Sequence, residues 1–494
     1  MKHSSGLPVL SSRIATTLGL AACLSSAGFA QVMLPAQAAK APACASAARH
    51  VSGCSGSACD ATPVPELDSK QQYDLPTLID MAESLSPETC IAWATAKRSL
   101  EQAGIARAEY LPVMAFVAHG GDSRSIVPFP KPIAPRGYVI AEIPEIVVQA
   151  ELEYKLLDFG RPARVDAAKL AAQASSLRMT RTQQQVAFNT ARGFYRVQET
   201  EGQLAAAKQI LNTAQTLQAN AQMQFDNGRA TLPDVQNADA GAAEAQFDLA
   251  NAEGEVKKAK LALTEAIGVE PTTEIEVVAA EKTRPEEFRA NVDEMLQQAW
   301  KSRPDLLARE DEFKRAKDSV KNARSRYLPT VSMAAVVGQT NMDPTADYGY
   351  LGPASVTTWS AQGQLRWEIF NGARGHELQA AKAEQKAAAE EKRAAEDSVT
   401  RQVWEAYVDL QTALEQQRAA QTFLTSSQTS YDSSLDAFRY GVRSLVDVVQ
   451  AEKLLAQARL ASVKAEARTL QSRAALSYAL GAMPATATSN GVRP

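Results

Sequence analysis

The sequence predicts a mainly α protein with a smaller β part, written twice along one chain. Three observations carry this reading. Long stretches rich in Ala, Gln, Glu, Lys and Arg, such as "DAAKLAAQAS" and "AAKAEQKAAAEEKRAAE", place apolar residues three and four apart, as packed helices do. Short segments such as "VVQAELEYKLLDFGR" (147–161) alternate strictly, as a strand with one apolar and one polar face does. The same motifs also recur in the same order at a nearly constant spacing.

From the N-terminus, Lys2 and Arg13 precede the apolar run "IATTLGLAACLSSAGFA", too short and too rich in small residues to span a membrane. It reads as a secretory signal. Within it "LAAC" (20–23) resembles the lipobox of bacterial lipoproteins, which would end the signal at residue 22 and put the acyl chains on Cys23. An ordinary signal cut after Ala30 or Ala38 is the other reading. Residues 23–73 read as a flexible Ser/Ala/Gly-rich linker. Export permits disulfides among Cys44, Cys54, Cys59 and Cys90, with pairing open.

The duplication sets the architecture. "ARAEYLP" (106–112) returns as "ARSRYLP" (323–329), an offset of 217; Pro87 maps to Pro304 at the same offset. "LEYKLLDFGR" (152–161) returns as "LRWEIFNGAR" (365–374), and "FDNGRATLPDVQNA" (225–238) as "FRYGVRSLVDVVQA" (438–451), both at 213. The predicted repeats are 74–270 and 292–483, joined by a linker over 271–291 and followed by a tail over 484–494.

Each repeat reads in one order. A helix (about 76–109, then 292–326) ends at Tyr-Leu-Pro, because Pro disfavours helix in the residue before it. A short strand follows (113–120, then 330–338). The Pro- and Gly-dense segments "SRSIVPFPKPIAPRGYVIAEIPEI" and "TNMDPTADYGYLGPAS" read as loops. A two-faced strand then returns. In the first repeat Val148, Ala150, Leu152, Tyr154 and Leu156 oppose Gln149, Glu151, Glu153 and Lys155. In the second Trp359, Ala361, Leu365, Trp367 and Ile369 oppose Ser360, Gln362, Gln364, Arg366 and Glu368. A helix from Gly160 to Phe225 measures about 99 Å at 1.5 Å per residue, and Leu232–Ile267 forms the return leg.

Composition narrows the function. Apolar residues make up 45% of the chain, enough for a core, and aromatics 6%. A formal charge of −4 gives no support for nucleic-acid binding. The four histidines (His3, His50, His119, His376) are scattered, and no catalytic triad, phosphate loop or metal-ligand spacing occurs. The expectation is a protein without cofactor, metal or catalysis.

Taken together, the doubled motifs over residues 74–483 resemble the TolC-type outer-membrane factors, the outer membrane efflux protein family. Its fusaric-acid-resistance lipoproteins are a fainter likeness. The resemblance implies a homotrimer in which each chain gives four strands to a twelve-stranded barrel in outer-membrane lipid, and long helices to a periplasmic tunnel. It further implies a periplasmic adaptor and an inner-membrane transporter as partners, and passive export of toxic compounds or drugs, an aromatic acid such as fusaric acid included. A type I protein-secretion duct and a structural coiled-coil envelope protein are the alternatives.

The resemblance assigns residues as well. Arg443 and Asp447 in "YGVRSLVDV" and Asp234 in "LPDVQNA" fall at the positions of the family's periplasmic gate, with Asp234 pairing the arginine. Helix capping is the other role open to Asp234 and Asp447. The sequence departs at Gln450, where a family member carries a second aspartate. The turns at Gly228 and Gly441 would receive the adaptor. Tyr154, Trp359 and Trp367 are candidates for the membrane-interface aromatic belt, or simple packing residues.

Overall fold

The computed structural model describes residues 71–131, 134–271, 273, 275–278, 291–347, 349–440 and 442–483. The first repeat opens with a two-residue strand β1 (Gln72–Tyr73), then α1 (Leu75–Leu85) and α2 (Pro87–Ala108). The second opens likewise, with α5 (Val292–Ser302) and α6 (Pro304–Ser325). Each pair corrects an expectation of one continuous helix. Pro87 and Pro304 lack the N–H an α-helix needs, and their rings crowd the carbonyl four residues back, so each starts a new helix at its first position. Ser86 closes α1 and caps α2, its Oγ accepting from the Glu88 N–H at 3.3 Å. Cys90 on α2 is disulfide-bonded; Cys23, Cys44, Cys54 and Cys59 lie outside the described residues.

The strands are longer than the sequence suggested. β2 (Val113–Pro128) and β3 (Tyr138–Leu157) form an antiparallel hairpin, with Val113 opposite Glu153 and Pro128 opposite Tyr138. Most of the Pro-rich segment expected as loop is therefore sheet. It tolerates Pro144 because the missing N–H falls in a gap. Pairing of β3 with β5 (Thr330–Met342) begins at Glu145, and pairing with β6 (Thr345–Ala346) covers only Ala141–Glu142. After β7 (Gly349–Tyr350), β8 (Ala354–Arg366) pairs with β5. The four long strands thus run β2-β3-β5-β8, leaving one side of β2 and one side of β8 without a partner among the described residues.

Two very long helices leave this sheet: α3 (Arg161–Asp226, 66 residues) and α7 (Ala373–Arg439, 67 residues). Each folds back as α4 (Leu232–Ile267) or α8 (Leu445–Ala479). Gly268, at φ +85°, ends α4 in the left-handed conformation and donates its N–H to the Thr264 carbonyl at 3.1 Å. At the margins of the two predicted linkers, β1 pairs in parallel with β4 (Glu276–Val277).

The core is a string of separate clusters rather than one nucleus. Leu78 and Ala82 of α1 pack with Val197, Leu263, Ile267 and Ile275; Leu296 and Ala299 of α5 pack with Val399, Val403, Leu410 and Leu476. Val197 lies about 54 Å along α3 from its start, so α1 and α5 belt the long helices near their middle. A third cluster, with Leu217, Phe438, Leu445, Val448 and Leu455, closes the far end. No described helix is long and apolar enough to cross a membrane.

Candidate functional site: the channel wall, its junction and the tips

Registration between strands fixes two faces. Residues directly opposite in an antiparallel pair share a face. Leu152 lies between Met114 and Ala335, Ala150 between Phe116 and Val337, and Val337 faces Trp359. The even-numbered residues of β3 from Ile146 to Leu156 therefore lie on one apolar face, which on β5 also carries Gln339 and Asn341 opposite Val148 and Ile146. The odd ones, Gln149, Glu151, Glu153 and Lys155, lie on the other, with Ser360, Gln362 and Gln364 of β8. From Ile146 to Leu156 the apolar band measures about 33 Å along the strand. A tilt of about 40° reduces that to about 25 Å, the height of a lipid-facing barrel belt.

Of the three aromatics, Trp359 stands 76% exposed on the apolar face and Tyr154 lies half-buried opposite Met333. Trp367 and Ile369, expected on the second two-faced strand, lie beyond its end: β8 stops at Arg366, opposite Thr330, the first residue of β5. Past that point β8 has no neighbour to pair with. The Trp367 indole donates to the Tyr327 carbonyl at 3.2 Å.

At the strand-to-helix junction the repeated motifs meet. Arg161 of "DFGR" is buried, stacks over the Tyr110 ring of "YLP" at 5.1 Å and donates to the Lys155 carbonyl. Arg374 repeats this with the Tyr327 ring at 5.5 Å and the Glu368 carbonyl. Each arginine thus caps the end of a strand and pins the incoming helix; nothing in either motif alone marks the contact between them. A turn further on, Arg164 bonds Asp158 at 2.7 Å and Glu109, while in the second repeat Arg326 bonds Glu377. Positions 109 and 326, and 164 and 377, correspond, so the charges are exchanged. Burial pushes the Asp158 carboxyl up, but hydrogen bonds from Arg164 and the Gly160 N–H outweigh it and hold it below the usual carboxylate range. Gly160 leaves room here for the side chains of Asn322 and Ser325: a Cβ would lie 2.7 Å from the Asn322 Oδ1 and would force it to shift.

At the helical tips Gly228, at φ +67°, turns the chain from α3 to α4. Thr231 and Asp234 form a capping box: the Thr231 N–H and hydroxyl donate to Asp234 Oδ2 at 2.9 and 2.6 Å. Ser444 and Asp447 do the same for α8, at 3.2 and 2.9 Å. Both aspartates therefore cap helices. Thr231→Ala should cost about 1 kcal/mol locally, read as faster amide exchange in the first turn of α4 with the rest of that helix unchanged. Arg443 donates to the Ser434 hydroxyl at 3.3 Å, and among the described residues it forms no ion pair with Asp234. A salt bridge between the two hairpins near their tips joins Lys453 to Glu244 at 3.4 Å, and no motif announced it. Gly441 lies outside the described residues.

Comparison with known proteins agrees with this architecture. The model of the outer membrane efflux protein family matches residues 78–269 and 295–482. Protein CyaE of Bordetella pertussis is 26% identical over 400 residues, covering 78% of this chain and 80% of CyaE. Cation efflux system protein CusC of Escherichia coli is 21% identical over 269 residues, covering 54% of this chain and 57% of its own. Among solved structures, the outer-membrane channel OprN superposes with a TM-score of 0.69 at 16% identity, over 84% of this chain and 94% of that one. The open-state MtrE channel of Neisseria gonorrhoeae gives 0.68 at 21%, over 82% and 88%. With both repeats matched in order, the chain belongs to the outer membrane efflux protein family.

Proposed function

We propose that the protein is the passive exit duct of a tripartite efflux system, exporting small toxic compounds and performing no chemistry of its own. The chain is an outer-membrane channel subunit. Three copies close a twelve-stranded barrel, and the helices cross the periplasm to meet an adaptor and an inner-membrane transporter, which supplies the energy. The observation that carries this is the two-faced sheet of four strands with two open edges, feeding helices of about 99 Å. In lipid every backbone group must be paired, so four strands are stable there only inside a closed barrel made by several copies. Cys23 would anchor the N-terminus in the same membrane; it lies outside the described residues.

The tips would hold the gate. In the closed trimer Asp234 and Arg443 would pair between hairpins, while Asp447 from three copies would ring the entrance. Exposed ion pairs are worth about 0 to 1 kcal/mol each, so an adaptor docking at the Gly228 and Gly441 turns can displace them. Tyr154 and Trp367 would mark the membrane interface, whereas Trp359, opposite Val337 near the middle of the apolar band, would face lipid. Purified protein in planar bilayers should conduct weakly, and the double variant Asp234→Ala, Arg443→Ala several-fold more. A protein that conducts in neither form is not a gated duct. Export assays with aromatic acids, and with metal cations because CusC is a cation efflux system protein, would then sort the cargo.

A further inference from the structure

The two repeats end their sheets differently, and the difference points to an unformed part of the channel. In the first repeat β3 runs through Tyr154–Leu157 because β5 lies beside it there: Tyr154 opposite Met333, Lys155 opposite Ser332, then, past a bulge, Leu157 opposite Val331. The corresponding residues of the second repeat are Trp367, Glu368 and Phe370. They form no strand, and Ile369 and Phe370 stand 86% and 91% exposed. The side of the strand that β5 occupies in the first repeat has no partner among the described residues in the second. By the same correspondence its occupant is β2, the first strand of the first repeat, whose outer edge likewise has no partner among the described residues. Within one chain β2 already pairs with β3 at the far side of the sheet, so the β2 required is that of another copy.

We infer that Trp367–Phe370 completes β8 in the assembled channel by pairing with Met114–Phe116 of the next copy, Trp367 opposite Phe116, Glu368 opposite Ala115 and Phe370 opposite Met114. This rests on the reading of the chain as one third of a closed barrel. The faces support the register. Met114 and Phe116 lie on the apolar face through Leu152 and Ala150, so Trp367 and Phe370 join them there, and Glu368 turns to the polar face with Ala115 and Glu151. A slip of one residue would put Glu368 into lipid and the aromatics into the lumen. The adjoining helices agree. The Gly160–Ser325 contact between α3 and α6 becomes Ala373 of α7 against Ala108 of the next copy, a Gly/Ser pair exchanged for Ala/Ala, and Ile105, 71% exposed on α2, gains a cover.

The test is cysteine cross-linking of the full-length protein in outer membranes, with the unaltered chain and its native cysteines as background. Cα separations of about 4.5–5.5 Å across a strand pair suit a disulfide. Ala115→Cys with Glu368→Cys should, on oxidation, give covalent dimers and closed trimers at least about tenfold above either single variant. Ala115→Cys with Gln364→Cys, about 14 Å out of register along the strand, should not. Trimers on native gels without the first cross-link, or equal cross-linking by both pairs, would overturn the register and leave the channel reading intact. Absence of any trimer would overturn both.

Discussion

Val337→Arg is expected to keep the protein out of the outer membrane, whereas Val336→Arg, one residue earlier, leaves it there. Val337 sits near the middle of the apolar band, between Ala150 and Trp359. A guanidinium on the lipid side of a barrel at that depth costs about 2–4 kcal/mol, and a trimer carries it three times. Val336 lies opposite Glu151 on the polar face, where an arginine meets water and a carboxylate. The measurement is the amount of heat-resistant trimer in outer-membrane fractions. At least a tenfold loss for Val337→Arg and near-parental amounts for Val336→Arg are expected. Equal loss in both would mean that the face assignment is wrong.

The second large effect is expected at the belt. Arg303, at 1% exposure, links the α5–α6 break to two other helices: it bonds Asp305 at 2.6 and 3.0 Å, Gln402 at 2.9 Å and the Ala479 carbonyl at 3.2 Å. Arg181 stacks on Tyr478 beside it, at 3.7 Å from the ring centre. Removing one partner of a fully buried ion pair costs about 3–5 kcal/mol. Asp305 stays about a third exposed, so water softens the loss, and Arg303→Ala should cost about 2–3 kcal/mol. The readout is the apparent midpoint of helix melting in detergent; an unchanged midpoint would exclude this role.

The same pair gives a pH signature. Burial pushes the Asp305 carboxyl up, but hydrogen bonds and charge from Arg303 and Arg181 outweigh it and hold it below the ordinary value. A depressed folded value means its contribution is present above the unfolded value of about 3.9 and is lost as pH falls through the lower folded one. Asp305→Asn should therefore show a smaller drop in midpoint between neutral pH and about pH 3 than the parent does.

Much of the fold was legible because its signals are local and repeated. Leu232 and Ile267 bound α4 as read, and the long helix from Gly160 is off by one residue at each end, since Ala-rich periodicity, turn glycines and capping residues all agree there. The breaks at Pro87 and Pro304 are legible in principle, since a proline at a helix's first position marks a start, but the helical periodicity on either side masks them. The strands running into "SIVPFP" and "YVIAEIPEI" escaped because their pairing is non-local: only the register with β5 and β6 shows that Pro144 needs no donor. The two faces of β3 were legible from alternation alone. The tip was legible as a cap, because Thr231 and Asp234 are three residues apart. Lys453–Glu244 was not, since nothing in either helix marks its partner.

The exchanged charges at the strand-to-helix junction bear on how the gene could be rearranged. Once Glu109–Arg164 and Arg326–Glu377 had taken opposite polarity, the halves stopped being interchangeable parts. A crossover inside the hairpin that placed the first helix of one half before the long helix of the other would set Glu109 against Glu377, or Arg326 against Arg164. Such recombinants would be born with like charges facing each other at the membrane end. The duplication is thereby locked at the level of inheritance, and the two halves can only drift further apart.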